Sequence, residues 1–316
     1  MVVKFRVKSE EVFGLLLLIL LMGCDVVAPD DQYQLGPDSE IQLGVAQGAV
    51  RELTLPPSKA YPGYMHKTWL YVPAQYSGQA PIALMVFQDG GTFVSREGAW
   101  RVPTVLDNLI QRKELPNMAA VFVDSGRSEQ DDGLASEQRS LEYDTLSGQY
   151  AQFLLTEVLP EVRRSVRITD DAQGRGIAGL SSGGICAFTA AWQRPDAFSK
   201  VFSAIGSFVD IRGGGAYPEL IRQTDVKPLR VFLQDGVKDG LPGQFAGLDW
   251  PGANRAMARA LAFKGYDYQL VMGRGTHNPK HGASIFPAAM RWLWLVTLDK
   301  GSPLDEAGTR RRIAAQ

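Results

Sequence analysis

The sequence predicts an α/β protein with a mostly parallel central sheet flanked by helices. Three observations carry that prediction. The runs Ile82–Gln88 and Ala119–Asp124 are almost continuously apolar, which suits strands buried on both faces of a sheet. Strand-like runs then alternate with segments of helical periodicity, the pattern of βαβ units with right-handed crossovers. Finally, Gly179-Leu180-Ser181-Ser182-Gly183 lies where a strand-like run passes into a helix-like one. A strand that turns sharply into a helix holds its turn residue in a strained conformation with the side chain projecting free, and needs small neighbours.

In chain order, Val50–Leu55 and Thr68–Val72 alternate like antiparallel strands, separated by Pro56-Pro57 and the Pro62-Gly63 turn. After the two apolar runs, a helical stretch extends from Tyr143 to about Val166. Phe153, Leu154, Val158 and Val162 recur on one face, and Pro160 is expected to kink or break it. Arg175–Leu180 reads as a strand and Gly183–Gln193 as the helix that follows. Val201–Ile205 and Leu229–Gln234 are short strands. Ala253, Met257, Ala260 and Leu261 mark a helix ending at Gly265, Tyr268–Gly273 is a last strand, and Ile285–Val296 a last helix. Cys186, on the apolar face of the helix after the elbow, reads as a core residue.

The chain has 316 residues, 45% of them hydrophobic and 21% charged, with a net charge of -1. This is enough for one large domain, and the charge gives no sign of a nucleic-acid partner. Lys4, Arg6 and Lys8 precede an apolar core from Phe13 to Met22, too short to span a bilayer as a helix. It ends in Leu21-Met22-Gly23-Cys24, which resembles a bacterial lipobox. That resemblance implies a signal peptide over residues 1–23, cleavage before Cys24, lipidation of its thiol, and an exported protein held to a membrane in the periplasm or cell envelope. With Cys24 lipidated, only Cys186 remains, which excludes an internal disulfide. Residues 24–43 are polar with Pro29, Gly36 and Pro37, and read as a flexible tether. The α/β domain is expected over 44–300 and a basic tail over 301–316.

An open parallel sheet places its ligand site at the carboxyl ends of its strands. A serine hydroxyl becomes nucleophilic only beside a base, and the base needs an orienting acid. The chain has three histidines. His66 precedes an early strand and reads as structural. His277 and His281 share the Gly-rich loop Gly273–Gly282 after the last strand. Loop placement favours His277 as base for Ser181, with His281 as the alternative. The acid is expected after Leu229–Gln234, where Asp239 lies in the turn Gly236-Val237-Lys238-Asp239-Gly240. Asp235 reads as bracing that turn and Asp249 as a helix cap. The order Ser, Asp, His is that of hydrolases built on this kind of sheet. The developing oxyanion needs two N–H donors: Ser182, after the nucleophile, and Gly91, in the loop Gln88-Asp89-Gly90-Gly91-Thr92.

These residues resemble the esterase family that contains enterochelin esterases, feruloyl and acetylxylan esterases, esterase D and the mycolyltransferases. The likeness is carried by Phe87-Gln88-Asp89-Gly90, Glu142-Tyr143-Asp144, Ala178–Gly184, Val231–Gly236, Gly275-Thr276-His277-Asn278 and Arg291-Trp292-Leu293-Trp294, over roughly Val50–Val296. The resemblance implies an α/β-hydrolase fold needing no metal or cofactor. It places nucleophile, acid and base on Ser181, Asp239 and His277, and the oxyanion donors on Gly91 and Ser182. The expected substrate is a small-molecule or glycan ester of siderophore or carbohydrate type. Acyl transfer to an alcohol, or ligand binding on a non-catalytic hydrolase scaffold, are the alternatives. Arg96, Arg101 and Arg139 are expected near the mouth, either meeting an anionic substrate or solvated. Trp192, Trp292 and Trp294 are expected in the helical core rather than against a sugar.

Overall fold

The computed structural model describes residues 30–128 and 137–298. The expected signal peptide, Cys24, the start of the tether and the C-terminal tail lie outside the described residues. Eight strands among those described form one sheet: β1 (Ala49–Leu53), β2 (Thr68–Val72), β3 (Ala83–Gln88), β4 (Met118–Val123), β5 (Arg175–Leu180), β6 (Lys200–Ala204), β7 (Arg230–Gly236) and β8 (Asp267–Gly273). Their spatial order is β1-β2-β4-β3-β5-β6-β7-β8. Only the β1–β2 and β2–β4 pairs are antiparallel; every pair from β4 to β8 is parallel. This is the expected α/β-hydrolase sheet.

The helices are α1 (Gly90–Phe93), α2 (Val102–Gln111), α3 (Glu137–Tyr143), α4 (Gln149–Phe153), α5 (Leu159–Arg163), α6 (Ser182–Gln193), α7 (Tyr217–Gln223), α8 (Trp250–Lys264) and α9 (Pro279–Leu298). Side chains alternate across the sheet. Leu84, Val86, Val121, Ile177, Val201 and Leu233 join one core with Phe153 of α4, Phe188 of α6 and Leu261 of α8. Met85, Phe87, Phe122, Ala178, Phe202 and Phe232 join the other with Leu106 of α2 and Phe286, Met290 and Leu293 of α9. Both faces of the central strands are therefore dry, which is why their sequences are apolar throughout.

The stretch expected as one helix from Tyr143 to Val166 is divided. Tyr143 ends α3, and a π turn over Leu154–Val158 separates α4 from α5. Pro160 sits in the first turn of α5, where its missing N–H removes no intrahelical bond, and the π turn absorbs the misfit upstream.

Residues 30–43 do not stand off as a free tether. Asp38 pairs with Arg112, which caps the C-terminus of α2, and with Arg291 of α9, the latter at 2.8 Å. Glu40 pairs with Arg101 at 2.7 Å, and Asn108 Nδ2 donates to the carbonyls of Asp38 and Glu40 at 2.8 Å each. Leu35 packs against the α2 and α9 side of the core, and the rest of the segment is held by charge and hydrogen bonds.

Candidate active site

The Ser181 elbow has φ 79° and ψ −115°, outside the regions that suit a side-chain-bearing residue. Strain of about 1–3 kcal/mol at such a position needs the surroundings to fix it. The backbone N–H of Ser181 donates to the Ala204 carbonyl, and its own carbonyl accepts from Ser207 N–H, both at 3.0 Å. A Cβ on Gly179 would collide with the Gly183 backbone, so the tight turn requires glycine there.

Two loops at the carboxyl end of the sheet meet at this elbow. His277, between β8 and α9, places Nε2 2.8 Å from Ser181 Oγ. Asp239, after β7, places Oδ1 2.6 Å from His277 Nδ1. The Asp239 carboxylate is wholly shielded and the imidazole is 10% exposed. A carboxylate accepts, so Nδ1–H donates to it and Nε2 is left to accept the Ser181 hydroxyl proton. Burial pulls the His277 pKa down to about 4, so the ring is neutral near pH 7. Burial pushes Asp239 above the usual carboxylate range.

His281 lies on α9, away from Ser181 Oγ. Its Nδ1 is 2.9 Å from Gln234 Nε2 and its ring stacks on Tyr33 with centroids 4.2 Å apart. Asp249 accepts from Gly252 N–H at 2.8 Å as the cap of α8. Asp235 is fully buried, accepting from Gly236 N–H at 2.7 Å and Asn254 Nδ2 at 2.8 Å. His66 is locked to Glu142 at 3.0 Å in the interior.

Ser182 opens α6, so its N–H has no acceptor within that helix, while its side chain bonds the Asp144 carboxyl. Gly91 differs from the expectation of a free donor. Its N–H donates to Asp124 Oδ1 at 2.8 Å. Asp124 directly follows β4, which pairs with β3 up to Gln88 and Val123, and this register brings its carboxylate to the Gly91 turn. That contact crosses between strands and leaves no local mark in the sequence.

The expected mouth arginines are engaged. Arg139 grips Asp89 through two bonds of 2.8 and 2.7 Å and lies over the Tyr143 ring. Arg96 bonds Asp107 at 2.5 Å and the Gly48 carbonyl at 2.7 Å, and Arg101 bonds Glu40. Trp192 and Trp294 are buried, and Trp292 packs on Phe232 beneath Arg230. Among the described residues no group of three or more His, Cys, Asp or Glu side chains is arranged to hold a metal ion.

Helix α8, which carries no catalytic motif in the sequence, also borders the site. Trp250 meets the His277 ring edge to face at 5.2 Å and donates from Nε1 to Ser207 Oγ at 3.1 Å. Asn254, one turn on, donates to the Gly206 carbonyl and to Asp235. Ser207 Oγ lies 3.4 Å from Ser181 Oγ. The Asp249 cap followed by Trp250 and Asn254 on one helical face was the available signal.

A family model described as "Putative esterase" matches residues 60–278. The uncharacterized protein YbbA of Bacillus subtilis is 22% identical over 236 residues, covering 71% of this chain and 91% of the relative. The enterobactin esterase of Shigella flexneri superposes with a TM-score of 0.64 at 21% identity, over 81% of this chain and 61% of its own. The chain thus spans 61% of the length of that esterase. A ferulic acid esterase of Anaeromyces mucronatus, bound to ferulic acid, superposes at TM-score 0.64 and 14% identity, over 83% of this chain and 98% of its own. Matched by its model over more than half its length, the chain belongs to the "Putative esterase" family.

Proposed function

We propose that the protein is an exported serine esterase that cleaves a siderophore- or carbohydrate-type ester through an acyl-enzyme. The observation that carries this reading is the unbroken chain from Ser181 Oγ through His277 to the shielded Asp239 carboxylate, 2.8 and 2.6 Å long at its two links. Ser181 Oγ attacks the ester carbonyl while His277 Nε2 takes its proton. Asp239 holds the ring and stabilises the imidazolium as it forms. His277 then protonates the departing alcohol, and water, activated by the same ring, releases the acid. The oxyanion meets the Ser182 N–H, and that of Gly91 once the Asp124 carboxylate yields it.

A panel of enterochelin-type, feruloyl, acetyl-sugar and short nitrophenyl esters tests the reading on the purified protein. Turnover of at least one ester by the wild type and none by Ser181→Ala is expected. Undiminished turnover by the folded variant contradicts it.

The Leu21-Met22-Gly23-Cys24 sequence supports a lipid anchor at Cys24. Palmitate labelling in a bacterial host, lost on Cys24→Ser, is the expected result. Equal labelling of both chains contradicts it.

A further inference from the structure

The loop carrying His277 runs from Gly273 to Pro279 and buries little apolar surface of its own. Val237 N–H donates to the Gly273 carbonyl at 2.9 Å and Lys238 N–H to the Gly275 carbonyl at 3.1 Å, which hold one side. The other side is held by the chain's own N-terminal segment. Asp30 Oδ1 accepts from Thr276 N–H at 2.8 Å, and Oδ2 accepts from the Thr276 hydroxyl at 2.6 Å. The Tyr33 hydroxyl accepts from Arg274 N–H at 2.6 Å while its ring stacks on His281. Lys280 pairs with Asp31 at 2.5 Å. The two backbone N–H groups that the segment engages, those of Arg274 and Thr276, fall within three residues of His277.

Two further observations show that the contact is built into both partners. A Cβ on Gly275 would stand 2.5 Å from Asp30 Oδ1, and one on Gly273 would collide with the His281 ring and the Tyr33 hydroxyl. The glycines therefore leave room for Asp30 and Tyr33. The strand of chain that delivers them is pinned to α2 and α9 through Asp38 and to Arg101 through Glu40. The segment also lies outside the region matched by the family model, which begins at residue 60.

We propose that residues 30–40 form a strap in which Asp30 and Tyr33 are positioning residues for His277, so that proton transfer from Ser181 depends on the N-terminal segment. This rests on the reading of His277 as the base. The strap acts on the rate of acylation rather than on substrate affinity, because its bonds go to the backbone and side chain of the residues leading into His277. Burial raises the Asp30 carboxyl, but the Thr276 N–H and hydroxyl, with Asn278 and Lys280, outweigh it and hold the pKa below the usual value. The acceptor is thus ionised near neutral pH.

The test compares the purified full chain with Asp30→Ala, Asp30→Asn and Tyr33→Phe, using p-nitrophenyl acetate turnover, melting temperature and labelling of Ser181 by a fluorophosphonate. Misplacing a catalytic group by about 1 Å costs up to roughly 100-fold in rate. Asp30→Ala is expected to lower kcat and the labelling rate roughly 10- to 100-fold, with KM held within about twofold. Asp30→Asn keeps an oxygen for Thr276 N–H and is expected to recover most of the loss. Tyr33→Phe keeps the stack on His281, removes the acceptor for Arg274 N–H, and is expected to show an intermediate kcat. Wild-type kcat in a folded Asp30→Ala chain overturns the strap, as does a fall that merely tracks the unfolded fraction. A wild-type chain that neither turns over nor labels at Ser181 overturns instead the assignment of the base on which the strap rests.

Discussion

Asp235 and Asp239 lie side by side behind His277, and only Asp239 bonds the imidazole. Asp239 Oδ2 is buried without any other donor in hydrogen-bonding geometry, and the group beside it is the Asp235 carboxyl. Burial first, and then the neighbouring Asp239, push Asp235 far above the usual carboxylate range. Asp235 is therefore a neutral acid near pH 7, and its O–H donates to Asp239. Two adjacent carboxylates cannot both ionise cheaply, which is how such pairs divide the roles of acid and base.

That arrangement predicts how stability changes with pH. The folded protein keeps a proton on Asp235 that the unfolded chain releases near pH 3.9. The contribution is complete below that value and is lost as pH rises through the folded pKa. The melting temperature of the wild type should accordingly decline from pH 5 to pH 8 more steeply than that of Asp235→Asn, which cannot ionise and retains a donor. Parallel slopes in thermal melts of the two proteins contradict a protonated Asp235.

The same burial sets the acid limit of activity. A free imidazole titrates near 6.5, but His277 is held down to about 4 by desolvation. The ring stays a neutral base well below pH 6.5, and activity then falls as His277 and Asp239 take up protons. The acid limb of kcat/KM should lie below pH 6.5 as one coupled titration. A midpoint at or above pH 7 in the pH–rate profile contradicts the buried geometry.

Trp250 is predicted to separate packing from hydrogen bonding. It is fully buried, meets His277 edge to face, and donates to Ser207 Oγ. Trp250→Phe keeps an aromatic ring and loses the donor, so kcat should fall while the fold survives. Trp250→Ala should lose about 3–5 kcal/mol of stability in urea unfolding. Equal stability losses for the two variants contradict this division.

Asp124 is predicted to restrain acylation. Its carboxylate occupies the Gly91 N–H, and one oxyanion donor is worth roughly 100- to 1000-fold in rate. Asp124→Ala frees that N–H and should raise the acylation rate in stopped-flow bursts, by less than this ceiling. A fall in the burst rate would show that the carboxylate is needed to hold the Gly91 turn.

The parallel strands were legible because β3 and β4 are buried on both faces and say so in six consecutive residues. That Ser181, Asp239 and His277 would meet was legible because each follows the end of a strand. Helix α2 was not. Its second residue is Pro103, and buried Asp107 and Asn108 interrupt the apolar face. Those two are satisfied by distant partners: Asp107 by Gly48 N–H, the Tyr71 hydroxyl and Arg96, and Asn108 by the strap carbonyls. Asp30 and Tyr33 read as a linker for the same reason. Polar contacts between segments more than 240 residues apart have no periodicity to betray them. The Asp124–Gly91 bond escaped likewise, since it depends on how two strands lie in register.

Intact-protein mass spectrometry after treatment with a fluorophosphonate reads the pairing of Ser181 with His277 at the reacting atom. One adduct is expected, mapped by peptide fragmentation to Ser181, absent from Ser181→Ala and formed far more slowly by His277→Ala. A folded wild-type chain that takes up no adduct, or an adduct mapped to another residue, would contradict it.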